Sequence, residues 1–174
     1  MEFPVQTDNP AKVETACLIV PVFQQGELLP AAAKLDDASE RLIGRLIERG
    51  DFEAKPGNVQ LVPFAPGLSA DRLLLVGLGK REKCQERTFI KALDAAFTAI
   101  VNFKLADVAA AFADVPVGER DLAWKCRMMA EAAQRAVYRF DTFKSEKAPL
   151  PQLESVTLLL SGGDSSEQAR QGAR

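Results

Sequence analysis

DRLLLVGLGK, residues 71–80, decides the reading of this chain: a near-continuous apolar run that passes into a Gly77-Leu78-Gly79 turn and a charged segment. An apolar run of this length bounded by turn signals is expected to be a strand covered on both faces, and the glycines let the backbone turn sharply. Downstream, residues 87–103 place Phe89, Leu93, Ala96, Phe97 and Ile100 at helical spacing. Strand, glycine turn and amphipathic helix form half of a βαβ unit. The turn is not a full dinucleotide fingerprint. The position three beyond Gly79, where the third glycine of G-x-G-x-x-G belongs, is Glu82, a carboxylate where a pyrophosphate needs backbone amides. A tight turn without a ligand is the expectation.

Working outward from that unit, the other strands are expected at residues 3–7, 16–23, 59–64, 106–112 and 154–160. Residues 16–23 are too continuously apolar for a half-exposed strand, and Pro21 is expected at an edge, a bulge or the strand end. The Pro66-Gly67 turn between two adjacent strands predicts an antiparallel pair and therefore a mixed sheet. Residues 106–112 are expected beside the central 72–77 strand through a right-handed crossover. One helix is expected over 30–48, with a restart or cap near Asp36 and Asp37 and a stop at Gly50. Another runs to about residue 138, with Glu119 and Asp121 in its first turn and Leu122, Cys126, Met129, Ala133 and Ala136 as its buried stripe. Trp124 and Met128 flank that stripe as packing residues. After an extended connector with Pro149 and Pro151 and the last strand, residues 165–174 begin a polar helix with no buried stripe.

The 174 residues fit one domain, and 47% hydrophobic with 26% charged is ordinary globular composition. A net charge of -2 and a pI near 5.3 argue against a surface built wholly for nucleic acid or anionic membrane. Cys17, Cys84 and Cys126 are odd in number and form no CxxC pair, so neither a disulfide framework nor a zinc site is suggested. Glu2 in place of a basic start and the absence of any run near about 18 apolar residues speak against a signal peptide or a spanning helix. The expectation is a soluble protein of the reducing cytoplasm. There is no histidine, which removes the commonest general base and metal ligand together.

The remaining chemistry is sparse. The acidic pairs Asp36-Asp37 and Glu119/Asp121 read as caps or solvated faces. Cys84, between Lys83 and Arg87, is the one thiol whose pKa nearby positive charge would lower. Two segments are locally basic: Lys80, Arg81, Lys83, Arg87 and Lys91, and then Arg120 to Lys147, where Arg127, Arg135 and Lys144 are interleaved with aromatic residues. Phosphate backbones are bound by such patches, and charged helix faces look the same. Lys80, Arg81, Lys83, Arg127, Arg135 and Lys144 are the nucleic-acid candidates.

The chain also resembles the amino-terminal domain of the leucyl aminopeptidases, or cytosol aminopeptidases. The resemblance is carried by LLLVGLGK at 73–80, by Tyr138-Arg139-Phe140-Asp141 with Phe143-Lys144 and the proline connector, and by VTLLL before the polar helix. It implies a three-layer α/β/α sandwich similar to macro domains, with a mixed, mostly parallel sheet. Residues 1–163 would be that domain and residues 164–174 the start of a linker helix to a carboxy-terminal catalytic domain. It implies a hexameric peptidase whose two divalent metal ions, manganese or zinc, and catalytic residues lie in that other domain. The family's NTDAEGR-like metal segment is not in this sequence, so no residue here inherits a catalytic, cofactor or metal role. Some bacterial members also bind DNA, and macro domains bind ADP-ribose. Here Lys80-Arg81-Glu82-Lys83 follows Gly77-x-Gly79, and Gly162-Gly163 is a second candidate phosphate loop. Three readings stay open: the non-catalytic domain of an aminopeptidase that assists assembly and access, a DNA-contacting module, and a macro-like nucleotide module.

Overall fold

In the computed structural model, residues 1–25, 27–142, 153–161 and 166–173 are described. They build a six-stranded sheet from β1 (Val5–Gln6), β2 (Leu18–Val22), β3 (Val59–Val62), β4 (Leu73–Gly77), β5 (Asp107–Ala110) and β6 (Ser155–Leu159), in the order β1-β6-β5-β2-β4-β3. Neighbours run parallel except β3, which is antiparallel to β4 at the edge. The mixed sheet expected from the Pro66-Gly67 turn is therefore present.

Side chains on alternate faces of these strands divide the core in two. Ile19, Leu74, Val76, Val108, Val156 and Leu158 face a layer made by α3 (Glu86–Asn102) and α4 (Leu122–Thr142). Leu18, Val20, Leu73, Leu75, Ala109 and Leu159 face the opposite layer, which contains α1 (Pro30–Ala38) and α2 (Leu42–Glu48). A strand with helices on both faces can be apolar at every position, as β2 and β4 are. The result is the three-layer α/β/α sandwich. Phe89, Leu93, Ala96, Phe97 and Ile100 are all fully buried.

Several expectations are corrected. β5 pairs with β2 and β6, not with β4: β2 lies between β5 and β4, and because β2 and β4 are both buried at every residue their apolar pattern does not tell which of them β5 joins. Pro21 is consequently in an interior strand, but beyond the last β2–β5 bond, in which Ala111 N–H donates to Ile19 O, so its missing N–H leaves no gap in the ladder. The restart expected within 30–48 is present, α1 and α2 being separate helices, but the break lies a few residues after Asp37, where Glu40 and Arg41 adopt φ of 58° and 60°. Glu119 and Asp121 precede α4 instead of standing in its first turn, and Asp121 Oδ1 accepts from Trp124 N–H at 2.9 Å. That helix continues to Thr142, past Tyr138.

A further correction concerns α5 (Ser166–Gly172), which does have a buried stripe. Ala169 is fully buried, and a Cβ placed on Gly172 would meet Ala123 O at 2.1 Å. Small residues three apart let this helix lie close on α4. The proline connector, Phe143, Lys144 and Gly162-Gly163 lie outside the described residues.

Candidate functional site

The turn after β4 shows why its glycines are there. A Cβ on Gly77 would sit 2.1 Å from Lys55 O, and Gly79 holds φ +74° with Pro56 Cγ 2.7 Å from its Cβ position. Both positions are occupied by the 54–58 loop folding over the strand end. The turn's amides are spent there as well: Gly77 N–H donates to Asn58 O, Leu78 N–H to Val22 O and Gly79 N–H to Ala54 O. A phosphate cradle requires these donors free, so the missing third glycine and the hydrogen bonding agree.

After the turn, a short 3-10 segment at Arg81–Lys83 leads into α3, and opposite it stands the loop of residues 116–120. Between them is an open groove of about 1570 Å³. Its two sides are tied by the ion pair between Arg120 and Glu86, 34 residues apart in sequence. The Arg120 guanidinium also lies 5.3 Å from the Trp124 ring, which packs in turn against the Phe89 ring. Arg81 pairs with Glu27 and lies 5.9 Å from the Phe23 ring. Exposed pairs of this kind are worth at most about 1 kcal/mol each, but they hold the arginines in place.

Cys84 lines the groove from beneath, and its thiol behaves opposite to expectation. Burial pushes its pKa above the ordinary 9.0, and the nearby Lys125 only partly offsets this. The basic neighbours in sequence, Lys83 and Arg87, are exposed and point their charge into water. Burial raises Cys17 to about 12 and Cys126 to about 11, so the thiols are inert packing groups. Lys125 is depressed by its own burial, against the pull of Asp114, and donates from Nζ to Ala113 O at 2.9 Å.

The six basic candidates are not gathered in one place. Lys80 and Lys83 are exposed at the β4 end, and Arg127 is exposed in the second turn of α4; none has an ion-pair partner among the described residues. Arg81 is paired with Glu27. Arg135 joins α4 to α3 through Asp94 at 2.8 Å, with Glu131 at 3.9 Å. Lys144 lies outside the described residues. Of the Asp36-Asp37 pair, Asp36 is a cap, since its Oδ1 accepts from Gly44 N–H at 2.9 Å, while Asp37 is exposed. Among the described residues no three histidine, cysteine, aspartate or glutamate side chains gather in a way that suits a metal ion, and no helix is long and apolar enough to cross a membrane.

Sequence reading missed the groove. Arg120 was visible as one basic residue among several, but no local spacing pairs it with Glu86, and nothing marks the 116–120 loop except Pro116 and Gly118.

Comparison with known proteins gives a consistent result. The family model described as "Cytosol aminopeptidase family, N-terminal domain" matches residues 19–147. A probable cytosol aminopeptidase of Chromohalobacter salexigens is 70% identical over 174 residues, which are 100% of this chain and 34% of that protein. One from Methylobacillus flagellatus is 43% identical over 148 residues, 85% of this chain and 30% of that protein. The chain thus spans about a third of the length of these relatives. Among solved structures, a mutant of tomato leucine aminopeptidase superposes with a TM-score of 0.74 at 18% identity, over 99% of this chain and 35% of that one. A Trypanosoma brucei macrodomain in complex with ADP superposes at 0.67 with 11% identity, over 99% of this chain and 69% of that one. At these identities the two structures speak for the fold alone: the sandwich is shared with leucine aminopeptidases and macrodomains.

Proposed function

The chain belongs to the cytosol aminopeptidase family, as its N-terminal domain, and from that membership we propose that it is the non-catalytic part of a longer, cytoplasmic, metal-dependent leucyl aminopeptidase that removes amino-terminal residues from peptides. The observation that carries this reading is identity along the whole of this chain with the probable cytosol aminopeptidase of Chromohalobacter salexigens, of which it covers only a third. On this reading residues 1–163 are the domain and 164–174 begin a helix leading to the catalytic domain. Two divalent metal ions, manganese or zinc, would be held there. No residue set described here suits them, so no step of the reaction is assigned to this chain. Its roles would be to help assemble a hexamer and to restrict access to the active sites.

The test uses the polypeptide encoded by the full reading frame, assayed on leucine p-nitroanilide beside the 174-residue chain. The longer protein should hydrolyse the substrate, lose activity on chelation and recover it with manganese or zinc, while the 174-residue chain stays inactive throughout. Metal-dependent hydrolysis by the 174-residue chain itself would overturn the reading.

A second reading, contact with DNA, is favoured by the exposure of Lys80, Lys83 and Arg127 without carboxylate partners among the described residues. Arg81, Arg120 and Arg135 weigh against it, because their charge is already engaged.

A further inference from the structure

The end of α5 and the groove lie at the same end of the molecule. Gly172 rests on the backbone of Ala123, the second residue of α4. Arg120, three residues before Ala123, lines the groove and stacks on Trp124, the residue after it. A chain leaving α5 therefore does so beside the groove wall.

The groove's chemistry suits a polypeptide. Its rim carries exposed Arg81, Arg87, Glu82 and Glu119, and below them lie half-buried Ile90 and buried Val117. Carboxylates among the arginines repel a polyanion, whereas a rim of both signs over an apolar floor complements a peptide segment that is itself mixed. At about 1570 Å³, the groove also exceeds the roughly 300–1,000 Å³ typical of small-molecule pockets. We propose that it seats the segment that follows α5 in the longer chain, and so docks the remainder of that protein onto this domain. The inference rests on the reading that this chain is the first third of such a protein.

Amide hydrogen exchange tests it, comparing the polypeptide of the full reading frame with the 174-residue chain. Amides of residues 81–90 and 117–120 should exchange at least about tenfold more slowly in the longer protein. Equal exchange in the two overturns the proposal, as does protection that develops in the 174-residue chain as its own concentration rises, which would make a second copy the occupant. The double variant Arg87→Glu, Glu119→Lys changes exposed residues only. It should leave the melting of the 174-residue chain unchanged and remove the added protection in the longer one; protection that survives it sinks the assignment. Leucine p-nitroanilide hydrolysis on the same samples separates the two readings. Activity without protection defeats the docking proposal alone, and protection without activity defeats the enzymatic reading alone.

Discussion

Asp36, near the end of α1, accepts through Oδ1 the backbone N–H of Gly44 in the first turn of α2, at 2.9 Å. The acceptor satisfies an N–H that the start of α2 would otherwise leave open, across a kink in which Glu40 and Arg41 are both left-handed. Replacing a capping acceptor by alanine costs about 0.5–2 kcal/mol. Asp36→Ala should lower the urea midpoint accordingly, and Asp36→Asn, which keeps an oxygen, should lose less. Glu40→Gly should move the other way, because glycine escapes the left-handed penalty of about 1–2 kcal/mol and returns part of it as backbone entropy. A midpoint unchanged in Asp36→Ala would show that the bond contributes nothing net.

Two glycines with different surroundings give a paired prediction. At Gly77 a methyl group meets the Lys55 carbonyl at 2.1 Å and the Ala54 carbonyl carbon at 2.6 Å, so the 54–58 loop must move. Gly77→Ala should destabilise by about 1–3 kcal/mol or more, as overpacking does. At Gly118, φ is +50° and nothing lies within 4 Å. There Gly118→Ala meets only backbone strain, offset in part by the unfolded chain's lost freedom, and should cost about 1 kcal/mol or less. Thermal melts of both variants decide it, and a Gly118 variant worse than the Gly77 one would contradict the packing described.

The thiols predict a pH dependence. Burial raises Cys17 to about 12 and Cys126 to about 11, and raises Cys84, all from 9.0. Between the unfolded and folded values the unfolded chain has lost thiol protons that the folded chain keeps, so stability falls as pH rises. The contribution is whole below about pH 9 and declines towards pH 11–12. A thiol-specific disulfide reagent at pH 8 should therefore label the native protein slowly and all three cysteines at once in denaturant. Rapid labelling of native Cys84 would show that it is not buried in solution.

Charge reversal separates the DNA reading from plain surface charge. If the exposed cations contact phosphates, binding to duplex DNA should weaken steeply with salt, and Lys80→Glu with Lys83→Glu should flatten the slope by about two charges' worth. Absence of binding at low salt would remove that reading without touching the family assignment.

Most of the sandwich could be read from local pattern. β2, β4 and α3 declared themselves because continuous apolar runs and a helical stripe reflect burial on both faces or on one, and the short Pro66-Gly67 turn announced the antiparallel edge. What local pattern could not convey was adjacency. Nothing in residues 106–112 says that β2, rather than β4, lies beside them, since both strands are equally apolar. Ala169 and Gly172 pack closely because they are small, and small residues carry little hydrophobic signal. The groove was invisible for a related reason: the Glu86–Arg120 pair brings together charges that each look solvated in isolation.

The place of β1 in the sheet constrains the order in which the molecule can be completed. β1 pairs with β6, with Val5 opposite Leu158, and Glu2 bridges to Ser155. The first strand of this sheet to leave a ribosome thus waits for the last strand of the same sheet. At about 5–20 residues per second, that delay is on the order of ten seconds or more. During it, the interior strands β2, β4 and β5 can already assemble with α3 and α4, while the edge that β6 will occupy stays open. The finished sheet is closed by the two ends of the domain meeting, so a break anywhere before β6 leaves β1 with no strand to pair with.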